Sequence, residues 1–226
     1  MTSGEIISEL KKKASPKNVA GMARFGINTR GTLGVPLPEI RKLGREIGKN
    51  HELAQALWET EIHEARILAS IIEDVAALKE EQIEHWVQGF DSWDICDQTC
   101  MNLFWQYKNA YVKVIKWAGA REDFVKRAGF ALMASLAVKD KKADDKKFIK
   151  FFPLIKKYAT DERNFVKKAV NWALRQIGKR NKNLNKLAIE AVNGILKDKK
   201  GNRASRWVAL GALRELKSAA VKKRLK

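Results

Sequence analysis

Apolar residues recur at spacings of three and four along almost the whole chain, and this periodicity limits the fold more than any other feature. Ile67, Leu68, Ile71, Ile72 and Val75 form one such stripe; Leu187, Ile189, Ala191, Val192, Ile195 and Leu196 form another. Residues three and four apart share a helix face, whereas a strand would alternate at every second position. Alternating β-branched runs are nearly absent, and the four prolines fall only at 16, 36, 38 and 153. The chain is therefore expected to be all-α. Breaks between helices are expected at residues 31–38, 139–145, 160–161, 178–183 and 197–202. There Gly, Pro, Asn or charge runs adjoin suitable N-caps.

The helical segments also repeat. Val125-Lys-Arg-Ala-Gly-Phe-Ala-Leu132 is echoed by Val166-Lys-Lys-Ala-Val-Asn-Trp-Ala-Leu-Arg175 and by Arg206-Trp-Val-Ala-Leu-Gly-Ala-Leu-Arg214. Aligning Ala128, Ala169 and Val208 gives spacings of 41 and 39 residues. That period, with two helices per unit, is the period of HEAT and armadillo repeats. His63-Glu-Ala-Arg-Ile-Leu-Ala-Ser-Ile-Ile72 resembles an earlier member. The expected architecture is an α-solenoid of one domain over residues 1–226. Helices within 1–60 would cap it, and repeats would fill about 61–226. The competing arrangement is a generic helical bundle. A solenoid would curve, and Arg127, Lys168, Arg175, Arg206 and Arg214 on its second helices would make the concave groove basic.

Charge narrows the partner. The chain carries +19 overall, but residues 1–113 hold 14 Lys and Arg against 16 Asp and Glu, while residues 114–226 hold 31 against 10. The second half, at +21, has the electrostatic footprint of a polyanion-binding surface. No apolar run reaches the roughly 18 residues of a membrane span. No spare apolar face suggests a membrane-surface helix. The N-terminus lacks a signal peptide's basic and apolar regions. Cys96 and Cys100, four apart on one expected helix, are poorly placed for a disulfide. The three histidines, 51, 63 and 85, are scattered. Buried reduced thiols are expected, with no metal and no cofactor, in a cytoplasmic, nucleoid-associated protein.

One segment resists the polyanion picture. In Asp91-Ser-Trp-Asp-Ile-Cys-Asp-Gln98, Trp93 and Asp97 lie four apart and share a helix face. A carboxylate repels phosphate, so its presence calls for a chemical or a structural reason. Asp94 is a rival carboxylate on a different face. Of the seven tryptophans, Trp58, Trp86, Trp105 and Trp117 are assigned to the core.

At this point the chain resembles the AlkD family of alkylpurine DNA glycosylases, which are built from HEAT-like repeats. Ser92-Trp-Asp-Ile-Cys-Asp97 is similar to the family's Trp-x3-Asp helix. Arg127, in Phe124-Val-Lys-Arg-Ala, is similar to its arginine in a Gln-Arg-Ala-Ala context. Lys168-Ala-Val-Asn-Trp-Ala-Leu-Arg175 is similar to its Lys-Ala-x-x-Trp-x-Leu-Arg helix. Met22-Ala-Arg-Phe25, followed by Gly34-Val-x-x-Pro-x-x-Arg41, is similar to its N-terminal stretch. The similarities run in order over nearly the whole chain. The pattern departs at Phe25, where the family often carries Tyr.

The resemblance implies hydrolysis of the N-glycosidic bond of cationic N3- or N7-alkylpurines in duplex DNA. Glycoside hydrolysis ordinarily needs an acid to protonate the leaving group as well as a second carboxylate. A cationic purine already leaves well, so one carboxylate, Asp97, can suffice. Trp93 and Trp172 would offer electron-rich ring faces to the developing sugar cation. Arg127, Arg175, Lys168 and Phe25 would contact the DNA, the arginines through phosphates. The protein would act as a monomer, without a base-flipping slot. Lyase chemistry would need an activated lysine, and no motif singles one out. Two other readings stay open: a non-catalytic HEAT-repeat module for DNA or RNA, and a protein-binding scaffold.

Overall fold

A computed structural model describes residues 1–225, and among these there is no strand. Contacts gather the chain into two compact units, Met1–Tyr107 and a second that begins at Lys108.

The first unit is organised around one buried helix. Its elements are α1 (Ser3–Lys12), α2 (Pro16–Arg24), α3 (Leu37–Ile47), α4 (His51–Trp58), α5 (His63–Ile72), α6 (Glu80–Gln88) and α7 (Trp93–Asn102). Helices α1, α3, α4 and α7 all pack on α5. The Ala65, Leu68, Ala69 and Ile72 side chains are fully buried there. Burial of a Leu or Ile stabilises by roughly 1.5–3 kcal/mol, and polar groups dragged in with them must find partners. They do. Arg66 donates through Nε to Trp58 O at 3.2 Å and through Nη1 to Gly89 O at 3.2 Å. Its guanidinium also lies over the Trp58 ring, which stacks on Trp86 at 4.2 Å between centroids. Glu64 accepts from the backbone N–H of Leu33, Gly34 and Val35, at 2.9, 2.6 and 3.2 Å. This clamp fixes the loop between α2 and α3. Gly34 is required within it: its φ is +78°, and a Cβ would lie 2.3 Å from Ser15 O.

The second unit is a stack of helix pairs. It contains α8 (Ala110–Ala118), α9 (Asp123–Lys139), α10 (Asp145–Ile149), α11 (Phe152–Tyr158), α12 (Asn164–Gly178), α13 (Lys182–Lys197), α14 (Arg203–Leu216) and α15 (Ala219–Arg224). The long helices α9, α12 and α14 pack side by side in that order, each against its own partner: α8, α11 and α13. The expected repeat falls on these three helices. Ala128, Ala169 and Val208 are each fully buried, because small residues there let neighbouring helices approach. Side chains cross each joint. Asn171 Nδ2 donates to Val208 O at 2.8 Å, Arg127 Nη1 to Phe165 O at 2.6 Å, and Arg180 Nη1 to Ala137 O at 3.0 Å.

The five expected breaks all separate helices. The Asn residues act as caps where N-caps were expected. Asn181 accepts from Leu184 N, and Asn202 forms a reciprocal capping box with Ser205. Trp58, Trp86 and Trp117 are buried as assigned, but Trp105 is only half-buried. It sits in a single 3-10 turn, Phe104–Gln106, where Phe104 takes the inward position. Cys96 and Cys100 are both buried thiols.

Candidate nucleic-acid interface

Helix α7 starts at the expected aromatic–acid segment, and three side-chain contacts seat it. Ser92, its N-cap, is buried and accepts at Oγ from Asn28 N at 3.2 Å. Asn28 Nδ2 donates to Asp91 Oδ2 at 2.7 Å. Trp93 Nε1 donates to Phe25 O at 3.1 Å. The loop after α2 is thus bound to the head of α7, and Phe25 and Trp93 are brought together from 68 residues apart. Phe25 remains 72% exposed, so its ring is open to a partner.

Trp93 and Asp97 lie one turn apart on the half-buried side of α7. Ile95, Cys96, Thr99 and Cys100 fill the buried side. The rival carboxylate, Asp94, is committed elsewhere: its Oδ2 lies 2.9 Å from His63 Nε2. Burial alone would lower the His63 pKa. The hydrogen bond and charge of Asp94, with Glu64 and Asp91 adding to the field, outweigh burial and hold the imidazole above its ordinary value. Nothing local in the sequence points to this pair, since the two residues lie on different helices.

Beside α7 is an open cleft of about 740 Å³. Met22, Arg24, Phe25, Trp93, Asp94 and Gln98 are among its lining residues, and Asp97 is not. An aromatic wall, a basic rim and the hydrogen-bonded His63–Asp94 pair suit a planar, anion-bearing ligand such as part of a nucleotide.

The other expected contacts lie in the second unit, on α9 and α12. Lys168, Trp172 and Arg175 fall at positions i, i+4 and i+7 of α12 and share a face. Lys168 is exposed, and Trp172 and Arg175 are half-buried. Arg175 Nη1 bonds Glu215 Oε2, and Lys179 Nζ lies 2.5 Å from Glu215 Oε1. Glu215 is partly buried, which favours its neutral form. Its bonds to Lys179 and Arg175 win, and its pKa lies below the usual carboxylate range. Arg127 is 5% exposed, with Nη1 bonded to Phe165 O. Among the described residues no group of three or more His, Cys, Asp or Glu could hold a metal ion. No helix among them is long and apolar enough to cross a membrane.

Comparison with known proteins gives the family. No protein of curated function matches the chain. A solved structure superposes with a TM-score of 0.79 at 19% identity, covering 100% of this chain and 96% of that one. It is described as a new family of proteins related to the HEAT-like repeat DNA glycosylases with affinity for branched DNA structures. The all-α, HEAT-like repeat fold is therefore shared with that group. A family model described as DNA alkylation repair enzyme matches residues 6–216. With that match spanning nearly its full length, the chain belongs to the DNA alkylation repair enzyme family.

Proposed function

We propose that this chain is a monofunctional DNA glycosylase that releases cationic N3- or N7-alkylpurines from duplex DNA. The supporting observation lies on α7. Trp93 and Asp97 lie one turn apart on its half-buried side, and the Asp94–His63 contact anchors that turn. In the reaction the bond between C1′ and the purine nitrogen breaks, and its electron pair neutralises the cationic base. Water adds to C1′ and gives its proton to solvent. Asp97 forms no bond; it stabilises the positive sugar and orients the water. Preorganised charge of this kind is worth about 3 kcal/mol of barrier. Trp93 offers a ring face to the sugar. Lys168 and Arg175 hold phosphates, and Phe25 borders the lesion. Arg127, expected to join them, is buried and bonded to Phe165 O, and supports the joint between α9 and α12 instead.

The test is base release from a duplex carrying N7-methylguanine, wild type beside Asp97→Asn. Free base and an alkali-labile abasic site are expected from the wild type alone. Full activity in the variant would remove Asp97 from the chemistry.

A second reading, a non-catalytic DNA-binding module, draws on two observations. The superposed relative is described by its affinity for branched DNA, and Arg127 is bonded across a repeat joint. Release by neither protein, with tighter binding to a four-way junction than to linear duplex, would select this reading.

A further inference from the structure

Helix α14 carries an outer face unlike that of an ordinary solvated helix. Its Ala204, Val208, Ala209, Ala212 and Leu216 turn inward and are buried. The exposed positions are Arg203, Arg206, Trp207, Leu210, Arg214 and Lys217. At about 100° per residue these six fall within one stripe roughly 100° wide. The stripe holds four cations, two large apolar side chains and no acid. Trp207 is 45% exposed and Leu210 44%. A solvated helix face ordinarily mixes both charge signs and keeps its large apolar groups inward. From the neighbouring helix, Lys167 Nζ lies 5.7 Å from the centre of the Trp207 ring, so a fifth cation borders the same aromatic.

We propose that this stripe binds an unpaired nucleotide of DNA, with Trp207 stacking on the base and the arginines holding the flanking phosphates. The charge selects a polyanion. An exposed indole among cations is the recurrent means of holding a single strand, because every base has a ring face and none need be read by its edge. In intact duplex the base faces are already stacked on one another, so the ring would find its partner at a gap, a frayed end or a strand branch. The inference rests on DNA being the partner and is independent of Asp97 and of glycosidic chemistry.

The test compares two DNAs of the same length and sequence: a sealed duplex and a duplex with a short gap of unpaired thymines. Binding is followed by fluorescence anisotropy. The wild type should prefer the gapped DNA. Trp207→Ala should reduce that preference roughly tenfold, the scale of one base–aromatic stack, and Trp207→Phe should restore most of it. Arg206→Ala should weaken binding to both DNAs and lower the salt slope by about one unit, leaving the preference in place. Tryptophan quenching by gapped DNA should be smaller in Trp207→Phe than in wild type. An unchanged preference in Trp207→Ala, with that variant folded by circular dichroism, would overturn the assignment. So would a change in sedimentation of Trp207→Ala without any change in DNA binding, since the face would then join protein to protein. Because the readout is binding, loss of the Asp97 mechanism would leave this result standing, and the reverse also holds.

Discussion

His63 Nε2 lies 2.9 Å from Asp94 Oδ2, clasping the first residue of α5 to the second residue of α7. His63 is 3% exposed, so the pair is shielded from solvent. It sits one residue from Trp93 and three from Asp97, so the setting of both side chains depends partly on this contact.

Stability should therefore depend on pH with a definite sign. The His63 pKa is raised in the folded state, chiefly because Asp94 overcomes the opposing effect of burial. The stabilisation is complete below the unfolded value near 6.5 and declines as pH rises through the folded value. Asp94→Asn should cost about 2 kcal/mol near pH 6, the scale of a hydrogen bond to a charged group, and less near pH 9. Urea midpoints at the two pH values would show it; equal losses at both would mean that the pair does not titrate.

Glu64→Gln should destabilise the first unit by about 3 kcal/mol. One carboxylate receives three backbone N–H groups. An amide would turn its own NH2 toward at least one of them and leave buried donors unpaired. Chemical denaturation reads the loss, and faster proteolysis near residues 33–35 would locate it.

Gly129→Ala tests the closeness of α8 and α9. A Cβ there would lie 2.4 Å from Ala118 N and 2.8 Å from Ala118 Cα, both backbone atoms. The helix-propensity gain of about 1 kcal/mol is outweighed by overpacking, which costs roughly 1–3 kcal/mol or more where the obstacle cannot rotate away. The variant should melt lower than wild type. A higher melting temperature would show that the helices separate freely.

Arg127→Ala and Lys168→Ala should behave differently. Lys168 is exposed, so its loss should lower the salt slope of DNA binding by about one unit without affecting stability. Arg127 is buried and donates to Phe165 O. Its loss should instead destabilise the α9–α12 joint by about 2 kcal/mol, with little change in the salt slope. Thermal melts run beside the salt titrations separate the two effects.

Helices, breaks and the three-fold register of Ala128, Ala169 and Val208 were legible because apolar spacing and capping residues are local signals. Asn181 and Asn202 could be read as caps from their positions alone. Trp105 was misassigned because a 3-10 turn changes which neighbour faces inward, and three residues are too short to set a period. His63 was set aside as one of three scattered histidines, although its partner on another helix makes it part of the α7 support. The alignment of Lys168, Trp172 and Arg175 on one face was visible in the spacing. The pairing of Arg175 with Glu215, 40 residues away, was not, since nothing local links them.

The bonds across the repeat joints bear on how such a chain can change over generations. Asn171, Arg127 and Arg180 each donate to a backbone oxygen in an adjoining helix pair. Donor and acceptor are thus encoded in different units. Deleting or duplicating one unit as a cassette would leave a buried arginine or amide on one side facing a surface without its oxygen. Growth of the array by copying units is therefore penalised at each seam, whereas point substitution on the solvent faces is not. The number of units in the stack is the part of the architecture that this wiring makes hardest to alter.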